Sequence, residues 1–204
     1  MIVIVNYGLG NSGSILNMLR KIGCHDAVIS SDPSDLLTAS KLILPGVGHF
    51  DKGMANLASF GFMEPLKKRV LGGGVPILGI CLGMQMLAKG SEEGVREGLG
   101  FIRGQVIHFR LNDERSLKIP HMGWNRVEFV RRNPVAAGLE DESRFYFVHS
   151  YHMVCEDAED VLATTEYGYE FVSAVSCGHI LGVQFHPEKS HRFGMTFLKN
   201  WTSL

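Results

Sequence analysis

Over roughly the first 90 residues, unbroken apolar runs alternate with stretches whose apolar residues recur at helical spacing. Ile2 to Val5 is β-branched and continuous, the pattern of a strand covered on both faces. Beyond it, Ile15, Leu16, Met18, Leu19 and Ile22 follow a helical period, with Ser14 placed to cap the helix and Gly23 at its C′ position. "AVIS" (27–30) and "KLILPG" (41–46) read as the next two strands. "FMEPLKKRVL" (62–71) reads as an amphipathic helix ended by Gly72, Gly73 and Gly74. "VPILGI" (75–80) is a fourth strand, leading into a short helix over "LGMQMLAKG" (82–90). This alternation predicts a mostly parallel sheet covered by helices.

From about residue 100 the texture changes. "QVIHFR", "RVEFV", "RFYFVHSYHMV", "VLATTEY", "FVSAVSC" and "ILGVQFH" are strand-like with little helix between them, which predicts a mixed or antiparallel extension of the sheet. The tail "HRFGMTFLKNWTSL" reads as a closing helix that packs Phe197 and Trp201 inward. With no repeat, low-complexity tract or linker, residues 1–204 are expected to form one domain.

Composition removes several classes of function. The formal net charge is −1, from 20 basic and 21 acidic residues, and no long basic run marks a nucleic-acid surface. The longest apolar stretch, "VPILGICLGMQMLA", is too short to span a bilayer and contains Gln85. The N-terminus lacks the basic flank and long apolar region of a signal peptide, so a cytoplasmic protein is expected. The four cysteines, Cys24, Cys81, Cys155 and Cys177, form neither a C-x-x-C pair nor a zinc-like spacing. His149 and His152 are too weakly patterned for metal ligands, and nothing in the chain calls for a metal or an organic cofactor.

Two loops carry candidate chemistry. "YGLGNSG" (7–13) contains a G-x-G-x-x-G at Gly8, Gly10 and Gly13, and Asp32 lies near the distance of a ribose-binding carboxylate. A dinucleotide site and an ordinary tight strand-to-helix turn both fit that loop taken alone. "GICLG" (79–83) has the form of a nucleophile elbow with sulfur in place of oxygen. Side chains at Gly79 and Gly83 would collide with neighbouring elements. Cys81 then stands at a helix N-terminus, where the dipole favours thiolate, and the Leu82 amide points where an oxyanion would form. A buried structural cysteine between packing glycines is the plainer alternative.

A cysteine nucleophile needs a base, and the base an orienting group. In "GVQFHPEKS" (182–190), Pro187 holds His186 in extended geometry, so that His186 and Glu188 project to one side. Glu188 can bind one imidazole nitrogen while the other faces Cys81. "LPGVGHF" (44–50) follows a strand end with two glycines, leaving the Val47 and Gly48 amides free to turn toward an oxyanion. An ordinary strand-to-helix turn accounts equally well for that segment taken alone.

Taken together, "PGVG", "GICLGMQ" and "QFHPEKS" resemble the class I (triad) glutamine amidotransferases in order and spacing over nearly the whole chain. "YGLGN", "KIPHMGWN" (118–125) and "YFVHSYH" (146–152) resemble, within that family, the glutaminase subunits of imidazole glycerol phosphate synthase. The resemblance implies a flavodoxin-like α/β fold: an open sheet, mostly parallel with an antiparallel extension, and helices on both faces. It implies Cys81 as nucleophile, His186 as general base and acid, and Glu188 as its orienter. Gln85, Glu93, His149, Ser150 and Tyr151 would hold the glutamine head group. Without the resemblance, Glu93 in "SEEG" would read as a surface acid.

The same resemblance implies a (β/α)8 synthase partner that receives ammonia. Tyr7, Gly8, Gly10 and Asn11 would face that partner, with Pro120, His121, Met122, Gly123 and Trp124 as a second docking segment. The first loop is then no cofactor site, and the nicotinamide reading falls further because no separate substrate domain remains. The family more often has Asp where Asn6 stands, and "NLRS" where this chain has "NSGS". Those departures lie in the docking region and keep one alternative open, a related glutaminase that supplies ammonia for amidination of surface-polysaccharide sugars. A stand-alone cysteine hydrolase leaves "KIPHMGWN" unexplained, and a non-catalytic docking module leaves Cys81, His186 and Glu188 unexplained.

Overall fold

A computed structural model describes residues 1–111, 117–139 and 142–204. In chain order the elements are β1 (Ile2–Val5), α1 (Ser12–Lys21), β2 (Ala27–Ser30), β3 (Lys41–Leu44), α2 (Phe50–Ser59), α3 (Met63–Lys67, running into a π-helical turn over Lys68–Gly72) and β4 (Ile77–Ile80). Next come α4 (Leu82–Met86), β5 (Gly90–Ser91), β6 (Gly104–His108), β7 (His121–Arg126), β8 (Glu128–Phe129) and β9 (Arg144–His149). The chain closes with β10 (Tyr151–Cys155), β11 (Val161–Glu166), β12 (Glu170–Cys177), β13 (Ile180–Val183) and α5 (His191–Thr202).

The parallel half of the main sheet runs β2-β1-β3-β4-β13. This is the doubly wound order whose switch point lies between β1 and β3. β12, β10 and β6 extend it antiparallel, and β7 and β9 form a separate two-stranded sheet. The unbroken apolar run of β1 is explained by its two faces. Ile2 and Ile4 pack with Ile15, Leu19, Phe197 and Trp201 of α1 and α5. Val3 and Val5 pack with Met54, Leu57, Leu66 and Met84 of α2, α3 and α4. No helix among the described residues is long and apolar enough to cross a membrane.

Several boundaries differ from the sequence reading. Asn11, not Ser14, caps α1: its Oδ1 accepts the Ser14 amide at 3.3 Å. The sequence reading did not include α2, whose Phe50, Met54 and Leu57 face inward at helical spacing but whose interior carries a glycine. Helix α4 stops at Met86 because the following carbonyls are taken: Leu99 N donates to Met86 O and Ile102 N to Leu87 O. The run "RFYFVHSYHMV" is two strands that part at Ser150, β9 pairing with β7 and β10 with β6. "HMGWNR" is itself a strand, and "ILGVQFH" leaves the sheet after Val183.

The tail behaves as expected. Phe197 and Trp201 are buried, and Lys41 Nζ donates to the Trp201 and Thr202 carbonyls at the α5 C-terminus. Trp201→Ala is expected to cost about 3–5 kcal/mol, the usual range for removing a buried large aromatic. Urea unfolding should show a lower midpoint with an unchanged slope.

Candidate active site

Three loops meet where the parallel strands β3, β4 and β13 end, the edge at which doubly wound sheets bind ligands. Cys81 follows β4 directly and sits at φ 55, ψ −111, outside the regions open to an ordinary side chain. Such a residue stores about 1–3 kcal/mol of backbone strain and persists only where its surroundings over-determine it. Here its amide donates to Val183 O at 2.8 Å, holding the elbow to β13. The flanking glycines are a steric requirement. A Cβ on Gly83 would lie 1.8 Å from Leu44 O, and one on Gly79 would lie 2.8 Å from the Gly83 and Met84 backbone.

His186 lies just beyond β13, with its backbone extended. Its amide donates to Tyr146 O at 2.9 Å, and its carbonyl accepts the Ser190 hydroxyl at 2.6 Å. Nδ1 is 2.8 Å from Glu188 Oε1, and both side chains are only 2% exposed. The pairing arises differently from the extended i, i+2 arrangement read from sequence. Pro187–Lys189 form a 3₁₀ turn that swings Glu188 back under the ring. Nε2 of His186 and Oε2 of Glu188 are buried without a hydrogen bond among the described residues. In an empty site, catalytic hydrogen bonds are commonly unformed. Burial alone would lower the His186 pKa, but its interactions with Cys81 and Glu188 outweigh it and raise the pKa to about 10.

Val47, Gly48, Cys81, Leu82, Gln85, Glu93, Pro120, Val148, His149, Ser150 and Tyr151 line a cavity of about 290 Å³. Every sequence-assigned substrate and oxyanion residue therefore borders one space. Among the described residues, no acceptor takes the Val47, Gly48 or Leu82 amide. Glu93 is no loose surface acid: Oε2 accepts the Phe50 amide at the start of α2 at 2.8 Å. Asp51, one residue on, accepts the Val95 and Arg96 amides, so α2 braces the loop that presents Glu93. Those two bonds hold the Asp51 pKa below the usual carboxylate range.

Gln85 uses both amide hydrogens inside the protein, on Tyr151 O at 3.1 Å and Gln184 Oε1 at 3.0 Å. Gln184 then directs Nε2 at the Cys81 sulfur, 3.7 Å away. Sequence reading missed Gln184 and Asp51 as members of the site. Gln184 stands in strand-like apolar text, "GVQF", where a fully buried amide with a demand for partners was the available signal.

The docking segments are only partly as expected. Gly8, Gly10, Asn11, Pro120, Met122 and Trp124 are exposed, and Trp124 stacks flat on His191. Tyr7 and His121 are buried and cannot meet a partner surface. Tyr7 turns inward and donates its phenol to Pro45 O, at the start of the 45–48 loop. His121 takes the inward register of β7 against His149 and Tyr167, while Met122 faces solvent. No group of three or more metal-ligating side chains occurs among the described residues.

A histidine whose folded pKa exceeds its unfolded value, about 6.5, stabilises the fold below that value. This stabilisation is lost as pH rises toward about 10. Glu188→Gln keeps an acceptor for Nδ1 but removes the charge. NMR titration of the variant should place the His186 transition below the wild-type value, narrowing that window from above. An unmoved transition would mean that Glu188 does not act on the ring.

Comparison with known proteins agrees with this geometry. The family model for class-I glutamine amidotransferases matches residues 3–203. Imidazole glycerol phosphate synthase subunit HisH 2 of Methanococcus maripaludis is 54% identical over 98% of both chains. The HisH 2 subunit of Pseudomonas aeruginosa is 47% identical over the full length of both. Among solved structures, a putative GMP synthase subunit from Thermoplasma acidophilum superposes with a TM-score of 0.73 at 22% identity, covering 99% of this chain and 92% of that one. PurLQS from Thermotoga maritima superposes with a TM-score of 0.72 at 20% identity, covering 99% and 97% respectively, and at such identities the likeness speaks for the fold. The chain belongs to the class-I glutamine amidotransferase family.

Proposed function

We propose that this protein is the glutaminase subunit of an imidazole glycerol phosphate synthase, acting as a single domain. It hydrolyses glutamine to glutamate and ammonia and passes the ammonia to a (β/α)8 synthase subunit. The partner would use it to form imidazole glycerol phosphate and an aminoimidazole carboxamide ribotide, in histidine biosynthesis. One observation carries the chemistry: Cys81 stands on a strained elbow, near enough to the buried His186–Glu188 pair to act on the His186 pKa, in a cavity bordered by three amides unbonded among the described residues. The named HisH relatives, matched over their whole length, support the pathway.

In this reading the Cys81 thiolate attacks the glutamine carboxamide carbon. The Val47, Gly48 and Leu82 amides receive the oxyanion, each donor of this type being worth about 10²–10³ in rate. His186, protonated and oriented by Glu188, gives its Nε2 proton to the departing ammonia. The neutral ring then takes a proton from water, which hydrolyses the γ-glutamyl thioester and frees the thiol. Glu93 pairs with the substrate α-ammonium, while Ser150 and Tyr151 close the opposite wall. Met122 and Trp124, exposed on β7 next to Pro120 of that wall, supply the anchor for the synthase.

Glutamine hydrolysis by the isolated chain is expected to be slow, because in the free chain nothing but a short loop holds the Val47 and Gly48 amides. A second reading, a glutaminase serving a sugar-amidinating synthase, is favoured by the first loop alone. Gly13, where relatives more often carry arginine, is exposed, and a Cβ there would meet no atom within 4 Å. The docking face of this chain therefore lacks that cation.

The deciding measurement is glutamate release by wild type and Cys81→Ala, each alone and with a histidine-pathway cyclase. Activity is expected only for wild type with the cyclase. Activation by a sugar-amidinating synthase instead would keep the chemistry and change the pathway. Residual turnover by Cys81→Ala would remove the nucleophile assignment, and full activity of the lone chain would remove partner dependence.

A further inference from the structure

His121 takes no part in the chemistry above and His149 borders the cavity, yet both are buried, and their hydrogen bonds have only one consistent direction. At one end, Asn125 is oriented by the backbone. Its Nδ2 donates to Glu166 O at 2.9 Å, and its Oδ1 accepts the Arg126 amide at 2.8 Å. The amide nitrogen is therefore also the atom that faces His121 Nε2, at 3.2 Å, and that ring nitrogen must accept. A neutral ring that accepts at Nε2 carries its proton on Nδ1, which lies 3.0 Å from His149 Nε2. His149 in turn must place its proton on Nδ1, 2.7 Å from the carbonyl of Tyr151. Starting from Tyr151, whose carbonyl can only accept, gives the same assignment.

The surroundings keep the two rings neutral and leave them no other hydrogen-bond partner among the described residues. His121 packs between Phe147 and Tyr167 at centroid distances of 4.7 and 4.0 Å, and Phe109 closes over both histidines. Burial lowers the His121 pKa to about 4 and holds His149 well below the ordinary histidine value. Two further histidines, His152 and His186, add their repulsion at His149. A proton added to either ring would set two N–H groups against each other.

We propose that Asn125, His121 and His149 form a one-directional hydrogen-bond relay onto the Tyr151 carbonyl, making His121 a positioning residue for the glutamine pocket. The same carbonyl accepts Gln85 Nε2, and Gln85 leads through Gln184 to the Cys81 sulfur. The relay thus joins β7, whose outer register exposes Met122 and Trp124, to the wall at His149–Tyr151 and to the bonds around the nucleophile. The pocket's content rests on the glutaminase reading. The tautomers do not.

The test is made on the full chain labelled with ¹⁵N-histidine, alone for NMR and with its synthase for kinetics. At neutral pH, His121 and His149 are expected as Nδ1–H tautomers, the less common form for a free imidazole. His121→Phe keeps the ring stack but removes both nitrogens. It is expected to raise the glutamine KM about tenfold while lowering kcat much less. His121→Gln supplies one acceptor and one donor and should recover most of that loss, which a purely space-filling role would not allow. An Nε2–H tautomer at either ring would overturn the relay, as would an unchanged KM in His121→Phe or a glutamine variant as impaired as the phenylalanine one. Expected tautomers in a wild type that never turns over glutamine would uphold the relay and overturn the functional reading instead.

Discussion

The constraint on which the elbow depends is the approach of Gly83 to the Leu44 carbonyl, where a side-chain carbon would sit 1.8 Å from the oxygen. That contact presses the first turn of α4 against the end of β3. It brings the Leu82 amide beside the Val47 and Gly48 amides. It also leaves the chain no relaxed path between β4 and α4, so Cys81 takes the positive φ that lifts its sulfur into the cavity. The strain is sustained because the bond from the Cys81 amide to Val183 and the neighbouring parallel strands hold both ends of the turn. A residue larger than glycine at Gly83 would force α4 off β3, and one at Gly79 would force it off β4, losing several interactions together.

Pressure from the opposite side comes from Tyr7. Its phenol donates to Pro45 O, and a Cβ on Gly46 would meet that phenol oxygen at 2.7 Å and Leu82 Cβ at 2.8 Å. Gly46 is therefore gripped between the first strand–helix loop and the elbow. Directly after it the chain is loose: Val47 is half exposed and Gly48 lies at φ 121. The loop is anchored at its root and free at the amides that matter for an oxyanion. The glycine-rich turn that resembles a dinucleotide fingerprint has a mechanical role here, buttressing the loop after β3.

Much of this was legible in the sequence because it rests on local signals. The G-x-C-x-G spacing, the His-Pro-Glu triplet and the apolar runs of β1, β3, β4 and β13 each depend on near neighbours. What could not be read depends on partners far along the chain. Tyr7 and His121 look like docking residues beside exposed Gly8 and Met122, but Tyr7 is drawn inward by its bond to Pro45 O and His121 by the register of β7. Gln184 looks like part of a strand until Gln85 arrives from α4. The split of "RFYFVHSYHMV" at Ser150 was hidden because both halves have the same β-forming texture, and nothing local says that they join different sheets.

Strand β7 carries a division of labour that alternation makes possible. In a strand, adjacent side chains face opposite ways, so one short segment can serve an outer surface and an inner network together. His121 turns its inward register to His149, and Met122 turns the outward one to solvent, with Trp124 stacked on His191 nearby. A protein pressed against Met122 and Trp124 therefore loads the same backbone that carries His121. The cavity wall at His149–Tyr151 is one hydrogen bond further on, and the Cys81 sulfur lies beyond Gln85 and Gln184. Because Asn125, His121, His149 and Gln184 each have both donor and acceptor assigned, a displacement at β7 has little slack in which to be absorbed. The face proposed for docking is thus joined to the pocket through bonds rather than through bulk packing alone.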